Sequence, residues 1–435
     1  MRTVVYIAGV LALVPIILFR PWLGIPAWNA FGILNPQGYV WGFAQEFPYA
    51  MIIGGTTLAG LLYARDRKAP PLTAQTVLLF LLFAWMTLTT VFAWSPESAW
   101  DQWTKVLKIF VMVFATMMLI HGERKIRVLM LSLAVPLAFF GVKGGVFTLL
   151  TGANHRVQGP GGFLGGNTEI GLALSMVLPF IVVIAEQQKV WWMRAGAWIT
   201  FWLTVIATLF TYSRGAALGL AAVMAVIFLG LKRKLLVVIL VVPVLAVAGA
   251  VWVPERLTDR VATIENYEAD GSAMGRIQAW GVAWNVAVRN PLGAGFNLHA
   301  TDFSRWISYA SLILGQQHTI AAHSIYFQML GDQGFIGLGL FLGLLVTTLR
   351  GLQRVRKSAR KDPRLAGFER IAWATQAGLV GYAVSGAFLS LAYFDLFYAF
   401  VGLSTVMLRE IREAPAASTS SPVVPQVVPI SPRVS

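Results

Sequence analysis

The sequence predicts an all-α, polytopic membrane protein of about twelve transmembrane helices. Three observations predict it. The chain is 57% hydrophobic and only 12% charged. Its uncharged runs recur at about 20 residues, the length a helix needs to cross the hydrocarbon core. Its basic residues stand in short clusters between those runs, as the cytoplasmic loops of polytopic proteins do.

The apolar runs place helices near residues 3–19, 48–64, 74–93, 104–120, 126–150, 167–187, 190–211, 215–231, 235–252, 324–349, 368–389 and 391–408. The first follows Arg2 and meets Arg20 and Pro21 without a small-residue cleavage site, so it reads as a retained helix. From Arg20 to Phe47 the chain is rich in Gly, Pro and Trp and too broken for a clean span. That stretch reads as re-entrant or interfacial, with a thirteenth helix as the alternative. Under the twelve-helix count, the Lys and Arg clusters at 65–68, 124–127, 189–194, 232–234 and 350–364 share one side, the cytoplasm, with both termini. The expected organisation is therefore transmembrane helices over 1–253, a periplasmic loop over 254–322, further transmembrane helices over 323–412 and a disordered Pro/Ser/Val-rich tail over 413–435.

Composition also excludes some chemistry. With no cysteine there are no disulfides, thiolate metal sites or cysteine nucleophiles. A net charge of +15 could suit nucleic acid, but the cations sit between membrane runs, so topology explains them and the expected surroundings are membrane lipids.

The outer face carries the unusual residues. In the long loop, Met274 to Val288 has a helical pattern with Ile277, Trp280, Ala283, Trp284 and Ala287 on one stripe, Ser272 as a cap and Asn290-Pro291 as a stop. Arg276 falls in its first turn, where a guanidinium and free backbone donors can meet an anion; snorkelling to headgroups is the other reading. Arg214 stands in "TLFTYSRGAALGLA" at the outer membrane edge, beside Tyr212 and Ser213, with Gly215 permitting close approach. Ionisable groups at that depth are costly and mark sites, although an anchoring role also fits. Lys105, Lys108, Lys143 and Arg156 map to the same side, where positive charge is least expected, and a bound anion is the simplest reason. Glu169 lies at a helix start, where it either caps or orients an arginine. His323 opens a long apolar helix and has three readings: a cap, a metal ligand or a general base. His318 is five residues away, off the same helix face, and no Cys or acidic residue stands at ligand spacing, which disfavours a metal.

The stretch "AHSIYFQMLGDQGFIG", preceded by "GRIQAWGVAW" and "NPLGAGF" and, earlier, by "YSRGAALGL", resembles the signature of the O-antigen ligase and polymerase superfamily over about Val106 to Arg356. "WTKVLKIF", "GVKGGVFTLLTG" and "SAMGRIQAW" further resemble the exosortase-associated O-glycosylation ligase branch. Ser324 and Asp332 depart from the pattern, since many relatives carry Asn and Glu there. The resemblance implies a GT-C-like glycosyltransferase of the bacterial inner membrane with a periplasmic site. It would be metal-independent, inverting and cofactor-free, moving a glycan from undecaprenyl diphosphate to lipid A core oligosaccharide. It further implies His323 as the base for the acceptor hydroxyl and Arg214 and Arg276 as diphosphate ligands. Arg156, Lys105 and Lys108 are further diphosphate candidates, with Tyr212, Ser213 and Glu169 in support. The span from Phe296 to Ile320 is the expected source of acceptor specificity. A polymerase, a protein O-glycosylation ligase and a lipid-linked saccharide transporter are the alternatives.

Overall fold

Uncharged runs free of helix breakers fold as helices in lipid, because each backbone group then finds its partner within the segment. The computed structural model describes residues 2–40, 42, 45, 47–152, 154–230, 271–312 and 317–414. The predicted helix at 235–252, the outer loop before residue 271 and the tail beyond 414 lie outside the described residues. Every other predicted run has a described helix at its place: Arg2–Phe19, Tyr49–Tyr63, Ala74–Val91, Pro96–Leu119, Gly122–Leu150, Asn167–Gln187, Trp191–Leu209, Arg214–Gly230, Ile325–Ala359, Ala366–Gly386 and Asp395–Glu413. Five of these are long and apolar enough to cross a membrane: Ala74–Val91, Pro96–Leu119, Gly122–Leu150, Asn167–Gln187 and Ile325–Ala359. Among the described residues the only bridge is an isolated one between Gly161 and Leu164, and there is no strand.

Several boundaries differ from the sequence reading for physical reasons. Pro96–Leu119 begins before the apolar run because Pro96 occupies a first-turn position and Glu97 complements the helix dipole. The broken stretch after Arg20 folds as the helix Gly24–Leu34 between two short 3₁₀ turns, Pro21–Leu23 and Pro36–Tyr39. Its 11 residues rise about 16 Å, half of a hydrocarbon core, so this helix does not span alone. The outer-loop helix runs Gly271–Arg289 and ends at Asn290-Pro291 as expected. Its buried stripe is Ala279, Val282, Ala283, Val286 and Ala287, whereas Ile277 and Trp284 of the expected stripe are exposed.

Small residues let the bundle close. A Cβ on Gly145 would stand 2.4 Å from the Leu203 carbonyl, so Gly122–Leu150 and Trp191–Leu209 touch backbone to backbone there. At one end of the bundle several cations are matched by carboxylates. Arg356 and Arg360 both reach Glu369, Lys125 reaches Asp66, and Lys68 reaches Glu413.

Candidate functional site

The helix that follows His323 is not continuous. Gly334, with φ 65 and ψ −173, breaks Ile325–Ala359 into two helical pieces, a conformation open to glycine at little cost. The turn after Asn290 fills the break, since a Cβ on Gly334 would stand 2.2 Å from the Pro291 carbonyl. Carbonyls near the break find other donors: Trp85 Nε1–H donates to Gln333 O at 2.8 Å, and the Ala294 N–H to Gly331 O at 2.9 Å.

Beside the break, Asp332 is 2% exposed and ties three pieces of chain together. Its carboxylate accepts the Leu298 N–H at 2.9 Å and the Tyr393 hydroxyl at 3.0 Å. Asp332→Ala leaves both donors buried without an acceptor, and is expected to lower stability by ~1–3 kcal/mol. A fall in the melting temperature of the detergent-solubilised protein would show it; an unchanged melting temperature would show that the tie is dispensable.

His323 sits one residue before the helix N-cap, Ser324, with its own backbone left-handed at φ 45. For a residue with a Cβ that conformation costs roughly 1–2 kcal/mol. It is held by the backbone N–H of His323, which donates to Ser390 Oγ at 2.8 Å. Ser390 is itself placed by the neighbouring Ala392, whose N–H donates to Gln328 Oε1 at 3.0 Å. On the other side Trp280 Nε1–H donates to Ala322 O at 2.6 Å, and the Trp280 ring stacks on Phe327 with centroids 4.9 Å apart. The imidazole is therefore carried on a braced backbone while its ring remains exposed. Partial burial pushes its pKa below the ordinary histidine value, and the nearby charge of Arg276 and then His299 push the same way. At neutral pH it is an uncharged imidazole able to accept a proton.

A cavity of about 310 Å³ adjoins this backbone, lined by His299, Ala322, Gln328, Asp332 and Ser390 among others. Leu298, Trp306 and Ile320, all from the span singled out for acceptor specificity, line it too.

Arg214 begins the helix Arg214–Gly230 and is exposed. Ser213 acts as its N-cap, accepting the Ala216 N–H on Oγ at 3.3 Å, and Tyr212 before it is left-handed at φ 54. Asn167 Nδ2–H donates to Thr211 O at 2.8 Å, so the start of Asn167–Gln187 supports this turn. On the far side, a Cβ on Gly215 would stand 3.0 Å from Leu389 side-chain atoms, one residue from the Ser390 that holds His323. The Arg214 turn and the His323 backbone thus flank the same short segment, Phe388 to Ser390. Tyr212, Asn297 and His323 are three of the four described non-glycine residues with positive φ, and backbone strain of this kind gathers at functional sites.

The remaining sequence candidates are dispersed. Arg276 is half-buried in the first turns of Gly271–Arg289, with its charge in range of His323. Glu169 folds back over Gly166 at its helix start, as a capping residue does, and accepts the Thr168 hydroxyl at 2.9 Å. Arg156 is exposed in the loop after Gly122–Leu150 and lines a different cavity with Lys143. Lys105 and Lys108 are exposed on Pro96–Leu119, about 10 and 15 Å of helical rise beyond Ser98, the residue that meets the Asn297 side chain. A cavity of about 710 Å³ between Gly24–Leu34 and the bundle is lined mainly by apolar side chains such as Trp28, Ile33 and Phe163 and holds none of these cations. Among the described residues no three of His, Cys, Asp and Glu gather as a metal ligand set.

Sequence reasoning did not single out His299, Gln328 or Ser390, and it noted Asp332 only as a departure. The pair Asp332-Gln333 inside an apolar helix was the available signal, because an uncompensated carboxylate there is costly. Ser390 carried no signal, since a serine in "FLSLAY" is ordinary in a membrane protein.

Residues 199–342 match the O-Antigen ligase family, and residues 1–197 match a family of unknown function. No curated protein matches the chain significantly. The first match spans Arg214, Arg276, His299, His323 and Asp332 together.

Proposed function

We propose, from the match of residues 199–342 to the O-Antigen ligase family, that the chain is an inverting membrane glycosyltransferase that joins a lipid-linked glycan to lipid A core oligosaccharide. The observation that carries the proposal is His323: an imidazole held uncharged and exposed on a braced, left-handed backbone beside Arg276. The fold proposed for it is GT-C-like, with about twelve spans, both termini in the cytoplasm of the inner-membrane topology and His323 on the periplasmic side.

The donor is undecaprenyl diphosphate carrying the glycan through its anomeric carbon. Arg214 and Arg276 engage the diphosphate and stabilise the negative charge that grows on it as the glycosidic C–O bond breaks. His323 takes the proton of an acceptor hydroxyl as that oxygen attacks the anomeric carbon from the opposite face, which inverts its configuration. The products are the glycosylated acceptor, undecaprenyl diphosphate and a protonated imidazole that returns its proton to water. The cavity lined by His299, Gln328 and Ser390 is the proposed acceptor side. No step calls on a metal ion or cofactor.

The same donor and the same base would also serve a polymerase adding repeat units to a lipid-linked chain, or a ligase acting on protein hydroxyls. A deletion strain separates them. Loss of the lipopolysaccharide ladder while full-length lipid-linked polymer accumulates is the expected result for the ligase; a strain that stops at single repeat units would show a polymerase instead.

A further inference from the structure

A second cavity, of about 660 Å³, lies beside the outer-loop end of the helix Gly122–Leu150. Lys143 and Arg156 both line it, and no described carboxylate does. The ammonium of Lys143 lies over the Tyr39 ring, 5.5 Å from its centroid, which fixes one cation at the wall. The loop bearing Arg156 is fixed as well: Asn35 Nδ2–H donates to Pro160 O at 2.8 Å, and the Val157 N–H donates to Phe210 O at 2.9 Å. The second bond sets this loop directly against the turn that carries Arg214. Arg356, Arg360, Lys125 and Lys68 at the opposite end have carboxylate partners, whereas Lys143 and Arg156 line one cavity with no described carboxylate in its wall, an arrangement that suits an anion from outside.

The helix below the cations shows what kind of anion. Phe139 and Val135, four and eight residues before Lys143, are 53% and 55% exposed. At that spacing they share the face of Lys143, about 6 and 12 Å further along the helix. Cations at the head of an exposed apolar strip suit an amphiphile, with its charged group above and its chain below.

We propose that the cavity of Lys143, Arg156 and Tyr39 binds the phosphoryl headgroup of a membrane lipid whose chain runs along Phe139 and Val135. The guanidinium of Arg156 takes phosphate oxygens in a fork, Lys143 adds a point charge, and Gln158 in the wall offers a further donor. The site shares no lining residue with the cavity of His299, Gln328 and Ser390 and does not depend on transfer taking place.

The test is lipid retention by the full-length protein, read by native mass spectrometry after incubation with phosphatidylglycerol, undecaprenyl phosphate and, as a neutral control, diacylglycerol. The expected result is retention of a phosphoryl lipid over diacylglycerol by about tenfold, lost in the double variant Lys143→Glu/Arg156→Glu. Both side chains are exposed, so the fold is expected to survive; Lys143→Arg/Arg156→Lys should keep retention, as should Lys357→Glu/Lys361→Glu, an equal charge change at two exposed lysines of the opposite end. Preference for undecaprenyl phosphate would make the cavity a docking step for a polyprenyl donor, and preference for phosphatidylglycerol would make it a site for a resident lipid. Retention that ignores the phosphoryl group, or that survives the double reversal, would overturn the proposal. His323→Ala should retain lipid as the native chain does, so a failure here is distinct from a failure of the transfer mechanism.

Discussion

His323→Ala is expected to lose turnover by a factor of ~10²–10⁴ while still holding the lipid-linked donor, the loss typical of removing a positioned general base. The backbone argument makes the separation clean. What positions residue 323 is its N–H bond to Ser390 and the Trp280 bond to the carbonyl of Ala322, and neither uses the imidazole. Removing the ring should therefore leave the local structure and the donor cations in place. Donor retention and turnover lost together would point to a binding role for the ring; full turnover would remove it from the chemistry.

Arg276→Ala is expected to weaken turnover by ~10²–10³, as loss of a preorganised donor to developing charge does. It should also move the pH profile, which a purely structural arginine would not do. Burial and the Arg276 charge both hold the His323 pKa below its ordinary value. The base works uncharged, so activity should be flat near neutrality and fall as pH drops through that lowered pKa. Taking away the Arg276 charge lets the pKa rise toward its ordinary value, and the acid limb of kcat/KM should shift to higher pH. Arg276→Lys should restore the limb, since it keeps the charge, but not the full rate, since it loses the planar fork. A limb that stays in place in Arg276→Ala would separate the two residues. Arg214→Ala should weaken donor engagement as well, and its effect on the pH profile would show how closely its turn approaches His323.

Much of this arrangement could be read from residue types alone. Helices are set by uncharged runs, and lipid enforces that pattern strictly, so their places follow from "LALVPIILF" and its counterparts. Arg214, Arg276 and His323 stood out because a charged or titratable group at the membrane edge is expensive. What sets Arg276 in range of His323, and the Arg214 turn against the segment that holds His323, was not legible. It depends on Gly334 breaking a helix, on Pro291 entering the break, and on Asp332 reaching Leu298 and Tyr393 across long sequence separations. The facing of the outer helix was misjudged for a related reason. Alanines packed against Trp306 and Leu298 bury one stripe of Gly271–Arg289, while larger side chains at Ile277 and Trp284 turn outward, so size was a poor guide to burial. Arg156 was grouped with Arg214 and Arg276 as a diphosphate candidate by its charge and side, and in the structure it lines a cavity with Lys143.

The most direct measurement is transfer by the purified protein in detergent or nanodiscs, with a lipid-linked glycan donor and lipid A core acceptor, in EDTA and without nucleotide. The account predicts glycosylated lipid A core from the native chain, with the anomeric configuration inverted, and almost none from His323→Ala at equal donor occupancy. Activity that vanishes with EDTA and returns with magnesium, or equal product from His323→Ala, would contradict it.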